Sequence, residues 1–185
     1  MTSESAFCDV EFPAVSTLLS ETEVLDEELF VERYPLHYLI IEAIDEDELA
    51  WRNFTTSTVP AVRKGLASAV LGVAPVRKRD QTNPYSWMIT IGRTRSNDIV
   101  LADASISKLH GWIRQQHDGG ALSFTVTDAG SRNGTHVNGR ALRGQTGALP
   151  LGARLRLGQV EMLFVDGRLL HQALRRVAGS AVHAA

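Results

Sequence analysis

The chain has 185 residues, 44% hydrophobic and 22% charged, which suits a globular domain with added elements and excludes collagen-like, low-complexity and wholly disordered classes. Its single cysteine, Cys8, excludes an intramolecular disulfide and a cysteine-rich metal framework. The net charge of −2 conceals a polarity: residues 1–60 hold fourteen acids against Arg33 and Arg52, whereas the remainder carries net +10, a basic half suited to an anionic ligand.

The N-terminus lacks the basic start and apolar run of a secretory signal, and the longest apolar run, around Tyr38–Ile41, is far short of the ~20 residues a membrane span needs. These features set the expectation of a cytoplasmic protein. Ser20-Glu21-Thr22-Glu23 has the form of a capping box, followed by Leu25, Leu29 and Phe30 at near-helical spacing, so a helix is expected over ~20–33, before Pro35. Leu36–Ile44 is apolar and β-rich, consistent with a short strand or a helix start. The polar stretch Asn53–Pro60 reads as a linker, and Val62, Leu66, Ala69, Val70 and Val73 are spaced for a short helix weakened by Gly65 and Gly72.

After Pro84 the period changes to two. Trp87, Ile89 and Ile91 alternate with polar neighbours, as do Leu122, Phe124 and Val126. Further short β runs are Ile99–Leu101, Trp112–Arg114, Arg154–Leu157 and Val160–Val165. Turn clusters separate them at Arg95–Asp98, His117–Gly120, Gly130–Gly134 and Asn138-Gly139. Short strands with regular turn signals predict an all-β sandwich. Leu169, Leu170, Ala173, Leu174 and Val177 then share one helical face, predicting a packing helix over ~167–178. The organisation read from the sequence is an acidic, partly helical N-terminal extension over 1–60, a connecting segment over 61–74, a β-sandwich over 75–168, and a C-terminal helix and tail over 169–185.

Three loops carry the chemistry. Gly92-Arg93 ends one strand, Ser107-Lys108-Leu109-His110 precedes the Trp112 strand, and Ser131-Arg132-Asn133-Gly134-Thr135 follows the Phe124 strand, with Asn138-Gly139 beyond. Four motifs in this order, interleaved with β runs, resemble the forkhead-associated (FHA) domain over roughly half the chain. The resemblance implies a sandwich of about eleven strands whose loops bind phosphothreonine peptides. It assigns Arg93, Ser107, Lys108 and Arg132 to the phosphate and its surroundings, and Asn133 to the peptide backbone. Gly92, His110, Gly134, Thr135, Asn138 and Gly139 would be architectural. Arg132 stands where this loop often carries a small hydroxyl residue.

The residue types fit that ligand. A phosphothreonine carries nearly two negative charges and three acceptor oxygens, so a receptor needs fixed cations and neutral donors converging from separate loops. Arginine offers a planar fork, lysine a point charge and serine a short donor. An asparagine amide both donates and accepts, as a peptide backbone requires.

Catalysis is disfavoured, because Ser107 and His110 come with no Gly-x-Ser-x-Gly elbow or evident orienting carboxylate. No metal spacing joins the scattered histidines and no cofactor fingerprint occurs, so no metal and no cofactor are expected. Two alternatives stand: an FHA-fold scaffold for an unphosphorylated partner, and a nucleic-acid-binding β domain with Trp87 or Trp112 as stacking platforms, though both tryptophans read better as core or half-buried strand residues. The expected partner is a phosphothreonine-containing protein, a Ser/Thr kinase or its substrate, with no membrane and no nucleic acid. Thr55, Thr56 and Thr58 are candidate phosphosites that could engage the loops in cis.

Overall fold

The computed structural model describes residues 12–42, 70–79 and 84–182. Among the described residues eleven strands form two sheets, and three helices cover part of one of them. The first sheet contains β1 (His37–Glu42), β2 (Val70–Pro75), β7 (Thr135–Val137), β8 (Arg140–Ala141), β10 (Arg154–Leu157) and β11 (Val160–Asp166), ordered β2-β1-β11-β10-β7-β8. The second contains β3 (Ile89–Gly92), β4 (Ile99–Val100), β5 (Gly111–Asp118), β6 (Ala121–Asp128) and β9 (Thr146–Ala148), ordered β4-β3-β5-β6-β9. Pairing is antiparallel except between β3 and β4.

The expected all-β sandwich with short helices is present, and its core lies between the sheets. Ile91 and Ile113 of the second sheet and Leu155, Leu157 and Phe164 of the first are 0–1% exposed there. A second core lies on the outer face of the first sheet, under α1 (Val15–Val24), α2 (Glu27–Arg33) and α3 (Gly167–Val182). Leu18, Phe30, Leu170 and Leu174 pack there against Tyr38, Ile40 and Val165.

This second layer explains the ambiguity of the Leu36–Ile44 run. In β1, Leu39 and Ile41 face the sandwich core while Tyr38 and Ile40 face the helices, so both faces are apolar and no alternation survives. The pairing of His37 with Asp166 and of Ile41 with Met162 makes the segment a strand. The sandwich therefore draws one strand from within residues 1–60, rather than starting near residue 75.

Two helical expectations change. The helix expected over ~20–33 is a pair, α1 and α2, broken at Leu25-Asp26. Ser20 does not cap: its hydroxyl donates back to the Ser16 and Thr17 carbonyls inside α1. Asp26 is the cap of α2, accepting a bond from the Leu29 N–H at 2.9 Å. Asp26→Ala should lower stability by about 1 kcal/mol, read as a lower urea midpoint; an unchanged midpoint would show that α2 does not depend on this cap. The helix expected over Val62–Val73 fails at its C-terminal end, where Val70–Pro75 pairs with β1 as β2; residues 62–69 lie outside the described residues. At the C-terminus, α3 follows β11 directly, with Asp166 accepting from the Leu169 N–H at 2.8 Å. A Cβ on Gly167 would stand 2.5 Å from the Tyr34 carbonyl, so this glycine lets α3 start against the end of α2.

Trp87 is not a strand residue. It precedes β3, is 45% exposed, and lies under the Arg114 guanidinium at 5.3 Å. Trp112 is half-buried on β5. No helix among the described residues is long and apolar enough to cross a membrane.

Candidate phosphopeptide site

Three connections meet at one end of the sandwich: the turn after β3, the stretch between β4 and β5, and the turn from β6 to β7. Ser107 joins them. Its carbonyl accepts the Arg93 N–H at 2.9 Å, its hydroxyl oxygen accepts the Arg132 N–H at 3.0 Å, and its own N–H donates to Nδ1 of His110 at 3.2 Å. Because the hydroxyl oxygen serves as acceptor, its hydrogen remains to donate outward.

His110 supports this junction from below. It is fully buried, and with Nδ1 accepting, Nε2 carries the proton and donates to the Gly134 carbonyl at 3.2 Å. Burial lowers its pKa, which keeps the ring in the neutral form this bonding requires. The architectural role expected of His110 is thus a physical link between the Ser107 and Asn133 loops.

Gly92 is required by close approach. A Cβ there would stand 2.2 Å from the Lys108 carbonyl and 2.7 Å from the Asn97 amide nitrogen. That amide donates to the Lys108 carbonyl at 2.7 Å and to the Thr94 carbonyl at 2.9 Å, and the Thr94 hydroxyl donates to the Lys108 carbonyl at 3.0 Å. The backbones of Arg93 and Lys108 are therefore fixed while both side chains are exposed.

In the third loop, the Asn133 amide nitrogen donates to the Ser105 carbonyl at 2.7 Å, which orients its amide oxygen as an acceptor. Asp128 holds the base of this loop. It is 3% exposed and accepts from the N–H groups of Gly130, Ser131 and Gly144 and from the hydroxyls of Ser131 and Thr135. Burial alone would raise its carboxyl, but the hydrogen bonds from Ser131, Thr135 and Gly130 outweigh burial and bring the pKa down to about 2. Asn138 and Gly139 form the two-residue turn between β7 and β8, at φ of 48° and 81°. The Asn138 amide oxygen also accepts the Arg154 N–H.

All five expected ligand residues, Arg93, Ser107, Lys108, Arg132 and Asn133, thus come from the three connections that Ser107 and His110 tie together. Asp128 and Thr94 were not singled out from the sequence; each lies just outside a turn cluster, Asp128 two residues before Gly130 and Thr94 next to Arg95. Asn97 entered only through the Arg95–Asp98 turn and the run Asn97–Leu101 that fits the spacing between the first two motifs. Among the described residues no group of three or more acidic, histidine or cysteine side chains is arranged to hold a metal ion.

The family model for the FHA domain matches residues 89–158. The oxoglutarate dehydrogenase inhibitor of Corynebacterium diphtheriae is 37% identical over 78 residues, which cover 42% of this chain and 50% of that protein. The glycogen accumulation regulator GarA of Mycobacterium tuberculosis is 32% identical over 76 residues, covering 41% and 43%. The chain thus spans about half the length, or less, of the curated relatives it matches. Among solved structures, the FHA domain of a Chlamydia trachomatis protein is 23% identical, with a TM-score of 0.42, covering 70% of this chain and 97% of that one. The matched span runs from β3 to the β10–β11 turn and takes in every loop of the site, so residues 89–158 of this chain are a forkhead-associated domain.

Proposed function

We propose that this FHA domain is a phosphothreonine-dependent binding module acting in Ser/Thr kinase signalling, and that the chain works by recognition rather than catalysis. The observation that carries the reading is the Ser107 junction, which leaves its hydroxyl hydrogen and the exposed Arg93, Lys108 and Arg132 at one end of the sandwich. In this reading Arg93 and Lys108 neutralise the phosphate, Ser107 donates a short bond, Arg132 adds charge at the rim, and the Asn133 amide oxygen accepts a peptide N–H. Charged hydrogen bonds of ~1.5–3 kcal/mol each set the selectivity for phosphate, and association costs hold the affinity to about micromolar. The lone cysteine and a kinase-generated ligand fit a cytoplasmic setting.

Fluorescence polarisation with matched phosphothreonine, phosphoserine and threonine peptide libraries tests the reading. Phosphothreonine peptides should bind best, and equal binding of the unmodified peptides would overturn it in favour of an unphosphorylated partner. Asn133→Ala should weaken the phosphothreonine peptides by about fivefold, the loss of one neutral hydrogen bond; an unchanged affinity would remove Asn133 from the peptide contacts.

A ligand could also be supplied in cis by phosphorylation at Thr55, Thr56 or Thr58, which lie outside the described residues. The flanking positions support this partner. Glu42 and Val70 pair at the end of β1 beyond Ile41–Met162, toward Gln159, whose N–H donates to the Ser105 hydroxyl. Ser105 in turn holds Asn133. Comparing phosphorylated and unphosphorylated full-length protein by NMR tests it, and unchanged Arg93 and Asn133 signals would exclude engagement in cis.

A further inference from the structure

Among the described residues the helices do not cover the whole outer face of the first sheet: they pack over β1, β2 and β11, and none of them packs on β10, β7 or β8. On β10, Leu155 and Leu157 point into the core, so Arg154 and Arg156 point outward; on β7, Thr135 and Val137 point inward, so His136 points outward, directly across from Arg156. The turn after β8 adds Arg143, exposed and held at φ 44°. A groove runs from this strip to the Asn133 loop, lined by Arg132, Asn133, Gly134, His136, Arg143 and Gly144.

The floor of the groove holds an unmet polar atom. Nδ1 of His136 is buried and has no hydrogen-bond partner. Two acids border the strip. Asp128 already receives five hydrogen bonds, one of them from Gly144 and two from Ser131, so it ties the two walls of the groove together. Glu161 lies opposite Arg156 in the β10–β11 register. Among the described residues neither acid forms an ion pair with Arg132 or Arg143. Burial first, and then the charges of Arg156 and Arg143, lower the His136 pKa against the opposing charge of Asp128.

We propose that this groove is a second anion subsite, taking a carboxylate or phosphate borne by the same peptide whose phosphothreonine occupies Arg93 and Ser107. The inference rests on the phosphothreonine reading. Arg132 connects the two sites: its backbone N–H is bonded to Ser107, and its side chain lines the groove. Arg143 and Arg156 supply charge, and the unpartnered Nδ1 of the neutral His136 ring supplies a donor in its N–H tautomer. The preferred ligand is therefore a phosphothreonine peptide with one further anionic residue at a fixed distance along the chain.

The test uses the full chain and three peptide sets in an uncharged Gly-Ser-Ala background. One carries phosphothreonine alone, and two add a single glutamate or phosphoserine at each of the six positions on either side. At one register the second anion should tighten binding by about fivefold, in line with a partly solvated charge-assisted bond. The larger gain, from glutamate or from phosphoserine, identifies which source the subsite takes. Arg143→Gln should abolish that gain and change binding of the phosphothreonine-only peptide by less than about twofold, with Arg156→Gln as an independent second variant. The His136 ring nitrogen signals should move only with the doubly anionic peptide. Binding of the phosphothreonine-only peptide with no gain at any register, or a gain that survives both variants, overturns the subsite and leaves the primary site intact. No binding of the phosphothreonine-only peptide overturns the primary site and the subsite with it.

Discussion

Arg93→Ala should weaken binding of a phosphothreonine peptide by roughly ten- to hundredfold, the loss of a charge-assisted contact of ~1.5–3 kcal/mol. The size of this effect follows from how the residue is held. The Arg93 N–H is fixed on the Ser107 carbonyl, and the close approach at Gly92 sets the path of the chain, so only the side chain has to be ordered when the phosphate arrives. The side chain is exposed and enters no ion pair among the described residues, so its removal should leave the thermal midpoint within about a degree. Unaltered affinity would place the phosphate elsewhere, and a fall in affinity matched by a fall in stability would mark Arg93 as a structural residue.

Asp128→Asn should lower folding stability by about 3 kcal/mol and also weaken peptide binding. The carboxylate receives five donors, from the β6–β7 turn, the start of β7 and the β8–β9 turn, and an amide of the same shape can accept at only one of its two positions, leaving buried donors unpaired. The same arrangement predicts acid sensitivity. The folded-state pKa of about 2 lies below the ordinary carboxylate value near 3.8, so the carboxylate contributes stability that is present above the unfolded value and lost as pH falls through about 2. Urea unfolding of wild type should show a falling midpoint over that acid range, and the Asn variant should lack this component of the fall. Equal midpoints for the two proteins at neutral pH would contradict the role given to Asp128.

Where one face of a strand is wet, its place was legible: Arg154–Leu157 was expected and is β10, because Leu155 and Leu157 alternate with two arginines. Both-sided burial erased that signal in β1, and pairing with β1, rather than local propensity, makes Val70–Pro75 a strand. Ser20 carried the letters of a cap, yet its hydroxyl is used within α1, which already begins at Val15. The residues proposed to face the ligand were readable because turn chemistry and motif order marked them. The roles of Asp128 and His136 were not, since they depend on partners brought close only by the fold: Gly144 stands sixteen residues beyond Asp128, and Arg156 meets His136 across two strands.

Titration of the uniformly 15N-labelled full chain with a phosphothreonine peptide, followed by amide chemical shifts, tests the central claim most directly. The largest shifts should fall on Arg93, Ser107, Lys108, Arg132 and Asn133, with the unphosphorylated peptide producing none. Shifts centred on another face of the sandwich, or identical shifts from both peptides, would contradict the account.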